Sequence, residues 1–210
     1  MRKILKTLVA SMMVAVVMVV AGACSSREKI VERYDSIDEF VAEFGTTLEK
    51  VNPEDECCLF DEGVIQSSVE EVLQCRIEAV WYRASLELYK DAFNRPYKYE
   101  YEGFDAIYKL LDRQDVSIAT LAYSTNVVAS INKDKYELLE QIVVDDCEIG
   151  IYQPIKEIDG RTVYEAMFNE GKMFNRIELT IYDEYTREVF TCTEFVLLIE
   201  PIIKGRTILK

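Results

Sequence analysis

The chain has 210 residues, 24 Lys plus Arg against 38 Asp plus Glu, no histidine, and a net charge of −14. So acidic a surface is repelled by phosphate backbones, which excludes nucleic acid as a partner, and without histidine neither Ser-His-Asp nor Cys-His catalysis nor an HExxH zinc site can operate. Half of the residues are apolar, with only four prolines and eight glycines, enough to build one packed core without a long linker.

The chain opens with Arg2, Lys3 and Lys6, runs apolar from Leu8 to Val20 apart from Ser11, and closes on Ala21-Gly22-Ala23-Cys24. A basic start, an apolar run and small residues at the cut are the parts of an export signal. The arrangement resembles the lipobox of bacterial lipoproteins, although Ala21 stands where leucine is more typical. The resemblance covers residues 1–26 only and implies cleavage before Cys24, with diacylglycerol on its thiol. The same Ala21-Gly22-Ala23 also suits the ordinary signal peptidase, which would free a soluble chain, and an uncleaved anchor falls just short of the ~20 apolar residues that span a bilayer.

On the lipoprotein reading, residues 1–23 are a cleaved signal, 24–33 a lipidated cysteine with a short tether, and 34–210 one extracytoplasmic domain. Two acyl chains suffice for stable anchoring, so the membrane is the first expected partner. Loss of residues 1–23, with three cations and no carboxylate, leaves 21 cations against 38 carboxylates, a net charge of −17.

The first element expected is a helix over residues 36–50. Ile37, Phe40, Val41, Phe44 and Leu48 recur at helical spacing, and Ser36 with Glu39 makes a capping box. An acidic loop over 52–62 follows. A long central helix is expected over 68–93, because Val69, Val72, Leu73, Ile77, Val80, Trp81, Ala84, Leu88 and Ala92 form a stripe and Ser68 with Glu71 repeats the capping box. Trp81 then belongs to the core. A short helix over 104–113, a helix over 116–131 and another turn or two over 136–141 complete the helical half.

From Ile142 onward, β-branched and aromatic residues predict strands over 142–155, 162–168, 174–182 and 189–199. Asp159-Gly160, residues 169–171 and residues 183–187 read as the turns between them, and Ile177, Leu179 and Ile181 alternate with polar neighbours. Helices first and strands afterwards predict an α+β domain, N-terminal helices packed on a C-terminal antiparallel meander.

No catalytic constellation is complete. Ser130 to Lys133 matches SxxK, but the Ser-x-Asn at Ser124 to Asn126 precedes it and no KTG occurs. Neither a CxxC pair, an EF-hand register nor a phosphate-binding glycine loop is present, so no metal or cofactor is expected. Glu54, Asp55, Glu56, Asp61 and Glu62 cluster, as do Asp145 and Asp146, and carboxylate pairs can hydrolyse glycosides; in so acidic a chain such clusters are also ordinary solvated surface. Tyr97, Tyr99 and Tyr101 alternate with charged residues, which puts three phenols on one face of an extended strand, either to stack on a sugar or grip a peptide or to pack on the core.

With Cys24 lipidated, Cys57, Cys58, Cys75, Cys147 and Cys192 remain, an odd number, so at least one is unpaired within the chain. Cys147 and Cys192 fall in strand-like text and are candidates for a cross-strand disulfide, with Cys75 a candidate for Cys57 or Cys58. Five reduced thiols are the alternative. The function these residues predict is non-enzymatic binding of an envelope protein, glycan or peptide at the extracytoplasmic face of the membrane. A carboxylate-dependent hydrolase of cell-wall glycan and an envelope assembly factor are the alternatives.

Overall fold

The computed structural model describes residues 26–51, 57–91, 93–126, 133–156, 158 and 160–209. Cys24 and the whole export signal lie outside them, as do Glu54, Asp55, Glu56 and Ser130. Among the described residues no helix is long and apolar enough to cross a membrane.

The order is β1 (Ser26–Tyr34), α1 (Ile37–Val51), β2 (Cys57–Leu59), α2 (Glu62–Leu73), β3 (Arg76–Lys90), β4 (Pro96–Leu111), β5 (Ser117–Asn126), β6 (Tyr136–Val144), β7 (Cys147–Pro154), β8 (Thr162–Glu170), β9 (Met173–Ile181), α3 (Glu184–Val189), α4 (Cys192–Lys204) and β10 (Thr207–Leu209). Eight strands make one antiparallel sheet in the order β1-β3-β4-β5-β9-β8-β7-β6, and β10 pairs with β2. This is a β-rich fold with short helices on one face, and it overturns the α+β expectation of N-terminal helices on a C-terminal meander.

The helix at residues 36–50 is present as α1. Ser36 Oγ accepts the Glu39 amide at 3.1 Å and the Glu39 carboxylate accepts the Asp35 amide at 2.9 Å, a box shifted by one residue on the glutamate side. The long central helix does not exist. Asp61 caps α2 by accepting the Val64 amide at 3.0 Å, Gln74 ends it in the left-handed region (φ 55°), and β3 begins at Arg76.

The stripe misleads because a spacing of four keeps one face of a helix and, being even, one face of a strand as well. Tyr82, Ala84, Leu86 and Leu88 are buried at period two, while Trp81 is half-buried on the opposite face, outside the core. A bulge between Ala79 and Trp81 leaves Val80 exposed and reverses the parity of the strand, which hides the alternation. In β4 the register slips again, between Tyr101 and Gly103, so Tyr101 and then Phe104, Ala106, Tyr108 and Leu110 face inward.

Residues 104–111, 117–126 and 136–141 are accordingly strand, in β4, β5 and β6, residues 112–116 are the turn between the first two, and none of them is helix. The opposite error falls on 189–199, which is α4 from Cys192. Phe195, Leu198, Ile199, Ile202 and Ile203 are buried at the 3-1-3-1 spacing of a helix face, and the Thr191 amide donates to Glu194 at 2.9 Å. Pro201 sits on the exposed side of this helix. Residues 183–187 belong to α3, with Asp183 accepting the Thr186 amide at 2.8 Å, rather than to a hairpin turn.

The core lies between the sheet and the helices. Phe40 of α1 meets Phe104 at 4.3 Å and Tyr34 at 5.3 Å between ring centroids, and Phe60 meets Tyr123 at 4.8 Å. Ile177, Leu179 and Ile181 point inward, as their alternation predicts. The segment expected as a tether is β1 from Ser26, so Ser25 alone separates Cys24 from the sheet.

Candidate functional site: the open face of the sheet

Helices cover one face of the sheet and leave the other to carry the polar residues of each strand. The register aligns these in two neighbouring rows. One crosses all eight strands through Arg33, Arg83, Asp105, Ser124, Arg176, Met167, Gly150 and Gln141, and the other joins Trp81, Ile107, Ala122, Glu178, Glu165 and Tyr152. A shallow cavity of about 270 Å³ opens in the middle of these rows, where Trp81, Arg83, Asp105, Ser124, Arg176 and Glu178 meet.

Arg83 is fixed from two sides. Its Nη2 donates to Asp105 at 2.7 Å and its Cζ lies 4.7 Å from the centre of the Trp81 ring, a cation–π contact. Directly across from it on the edge strand β1 stands Arg33, exposed and with no carboxylate in ion-pair range among the described residues. Like charges opposed in a strand pair repel, and Asp105 can neutralise only one of the two.

Arg176 is fixed by Glu165 at 2.7 Å and by Glu178. Glu165 is 2 % exposed, and burial pushes its carboxyl above the ordinary range although Arg176 and the Tyr136 hydroxyl pull it down. For Arg176 burial opposes the charge, yet two carboxylates hold its pKa above the usual value. The two directions agree once exposure is considered: a third of Arg176 still meets water, and almost none of Glu165 does.

Towards the β1 edge the face continues as a cavity of about 500 Å³ lined by charges already satisfied. Lys29 pairs with Glu102 at 2.8 Å, Arg27 with Glu87 at 3.7 Å, and the Tyr89 hydroxyl donates to Glu87 at 2.9 Å.

The residues singled out by sequence do not meet here. Tyr101 is buried, its hydroxyl 3.1 Å from the Cys57 thiol and its ring edge-on to Phe44 at 5.1 Å; Tyr97 and Tyr99 lie in β4 with side chains outside the described residues. Asp145 and Asp146 form the tight β6–β7 turn, both left-handed (φ 47° and 63°), and Arg206 stands 3.9 Å from Asp145. Asp61 is a helix cap and Glu62 accepts the Tyr82 hydroxyl, so neither is free for acid–base work.

All five described cysteines are free thiols. Cys147 donates to the Asn169 carbonyl at 3.4 Å, and Cys192, in the first turn of α4 rather than in a strand, meets Glu140 at 3.7 Å, so the two do not face each other. Burial pushes the Cys57 and Cys58 thiols up to about 12. No group of three or more metal-ligating side chains gathers among the described residues. Sequence reading missed Arg33, Arg83 and Arg176; the signal was the alternation of residues 81–89, obscured by the bulge. Searches against protein-family models, curated proteins and solved structures match nothing to this chain.

Proposed function

We propose that this chain is a lipid-anchored, extracytoplasmic binding module of the cell envelope, held by Cys24, and that its open sheet face takes a carboxylate-bearing glycan. The observation that carries the reading is the opposition of Arg33 and Arg83 beside Trp81. One guanidinium is neutralised by Asp105 and the other has no carboxylate partner among the described residues, on a chain where carboxylates outnumber cations. A ligand carboxylate placed between them completes the ladder, and Trp81 supplies ring area next to it. Binding without hydrolysis is supported by the carboxylates. Glu165, whose carboxyl burial holds above its ordinary range, is locked by Arg176 and out of reach of a substrate.

The test is calorimetry of the mature chain against uronic-acid oligosaccharides and their methyl esters. Binding to the acids that falls at least tenfold with Arg33→Glu, with no release of reducing ends, supports the reading. Equal affinity for acid and ester refutes it.

A second reading, an envelope assembly factor, draws on the other sheet edge. The outermost strand β6 exposes Leu138, Leu139 and Val143, the last at 67 %, and an apolar edge strand is a template for a partner's strand. A discrete membrane-protein crosslink from β6 in intact cells, lost on Val143→Lys, favours this reading.

A further inference from the structure

The chain enters the sheet at Ser26, and the register pairs Ser26 with Lys90, the last residue of β3. The turn joining β3 to β4 therefore stands beside the start of the domain, two residues from Cys24. That turn carries Phe93, at 79 % the most exposed of the large apolar side chains described.

The turn is built to present it. Asp91 accepts the amides of Phe93 and Arg95 and the Arg95 Nε, each at 2.9 Å, and Asn94 takes the left-handed conformation at φ 60°. The Arg95 guanidinium lies over the Phe93 ring at 5.2 Å. The β4–β5 turn is the same device: Asp112 accepts the amides of Gln114 and Val116 at 2.8 and 2.9 Å, and Asp115 is left-handed at φ 62°. There Gln114 occupies the place of Phe93. The turn itself thus has no need of an aromatic, and the exposed ring calls for an explanation outside the fold.

Charge and reach supply one. Residues 26–28 and 90–98 carry four cations against two carboxylates, whereas the whole chain stands at −14. The β3–β4 ribbon also runs past the end of β5, because Asn126 pairs with Gly103 while the ribbon continues to Pro96. Seven residues of strand extend it by about 20 Å. The carboxylates along this stretch are paired with cations, Glu87 with Arg27 and Glu102 with Lys29.

We propose that the Phe93–Arg95 turn is a second membrane contact, inserting its ring among the acyl chains of an anionic lipid surface while Arg95 and Lys90 stay at the headgroups. An aromatic at the interface with cations reaching to the phosphates is the combination such a surface takes. The inference rests on the reading of Cys24 as lipidated, since the anchor holds the turn at the bilayer. Together they give the domain two points of attachment at the β1 edge and set the open face at an angle to the membrane instead of leaving it to swivel.

The experiment is fluorescence of the membrane-extracted, full mature protein in vesicles of phosphatidylcholine and phosphatidylglycerol carrying brominated acyl chains. Trp81 lies nine residues before the end of β3, about 30 Å from the turn, so the wild type serves as the unquenched control. With Phe93→Trp the added emission shifts to the blue and is quenched, and Phe93→Trp with Arg95→Glu loses most of that quenching. Intact mass of the same sample reports the anchor independently. A protein that carries the diacylglyceryl group yet shows no quenching of Phe93→Trp overturns the contact and leaves the anchor standing. An unlipidated, unquenched protein removes both.

Discussion

Asn175 sits on the inward face of β9, fully buried, between Thr125 across β5 and Phe168 across β8. Among the described residues, neither its Oδ1 nor its Nδ2 has a hydrogen-bond partner. In the unfolded chain water satisfies both atoms, so folding pays their desolvation without return, about 1–3 kcal/mol for a buried group left unpaired. Asn175→Val removes the amide and adds a β-branched side chain that suits a strand. It is somewhat bulkier than asparagine, and overpacking takes back part of the gain. The expected net effect is stabilisation by about 1–2 kcal/mol, which in a chain of this length raises Tm by about 2–8 °C. The assay is urea unfolding of the mature chain with Cys24→Ser, reading the midpoint at constant m. Asn175→Asp is the control and costs at least about 3 kcal/mol, because it buries an unpaired charge. A loss of 1 kcal/mol or more in Asn175→Val, the ordinary penalty for removing a hydrogen-bonded side chain, refutes the reasoning.

Glu165 sets a pH dependence: its carboxyl is raised in the folded state, so the folded protein holds that proton more tightly than the unfolded chain. Its contribution to stability is therefore fullest below the ordinary glutamate value of about 4.3 and declines as pH climbs to the raised value. Glu165→Gln removes that slope, which urea midpoints between pH 4 and 7 check. Thiol labelling at neutral pH reaches Cys192 first among the described cysteines, since of these it alone is only partly buried, and leaves Cys57 and Cys58 unmodified until the protein unfolds; early labelling of Cys57, seen by peptide mass, contradicts the packing of β2. Gln74→Gly gains up to about 1 kcal/mol by relieving a left-handed helix cap, less whatever the 3.2 Å bond from Arg113 to Gln74 contributes; thermal unfolding measures it, and a loss shows that this bond outweighs the backbone relief.

Where local chemistry is sufficient, the residues alone determined the element. Ser36 and Glu39 begin α1 because a hydroxyl and a carboxylate three residues apart satisfy free backbone amides whatever lies around them. Ile177, Leu179 and Ile181 specify β9 because their alternation is unbroken and fits only period two. The Asp91 and Asp112 turns were equally legible, an aspartate followed three residues later by Asn94 or Asp115, although the pattern is easily passed over. Tertiary structure decided the rest. Residues 76–90 satisfy a helical stripe and a strand face alike, since four is an even number, and only pairing with β1 and β4 on either side selects the strand. Bulges near Val80 and Glu102 then reverse which residues face inward, which placed Trp81 and Arg83 on the open face and Tyr101 in the core. In α4 the β-branched and aromatic composition favours a strand, and burial of five residues at helical spacing prevails over it. The candidate site was illegible for the same reason. Arg33, Arg83 and Asp105 lie far apart in the chain, and they become neighbours only through a register that the assembled sheet fixes.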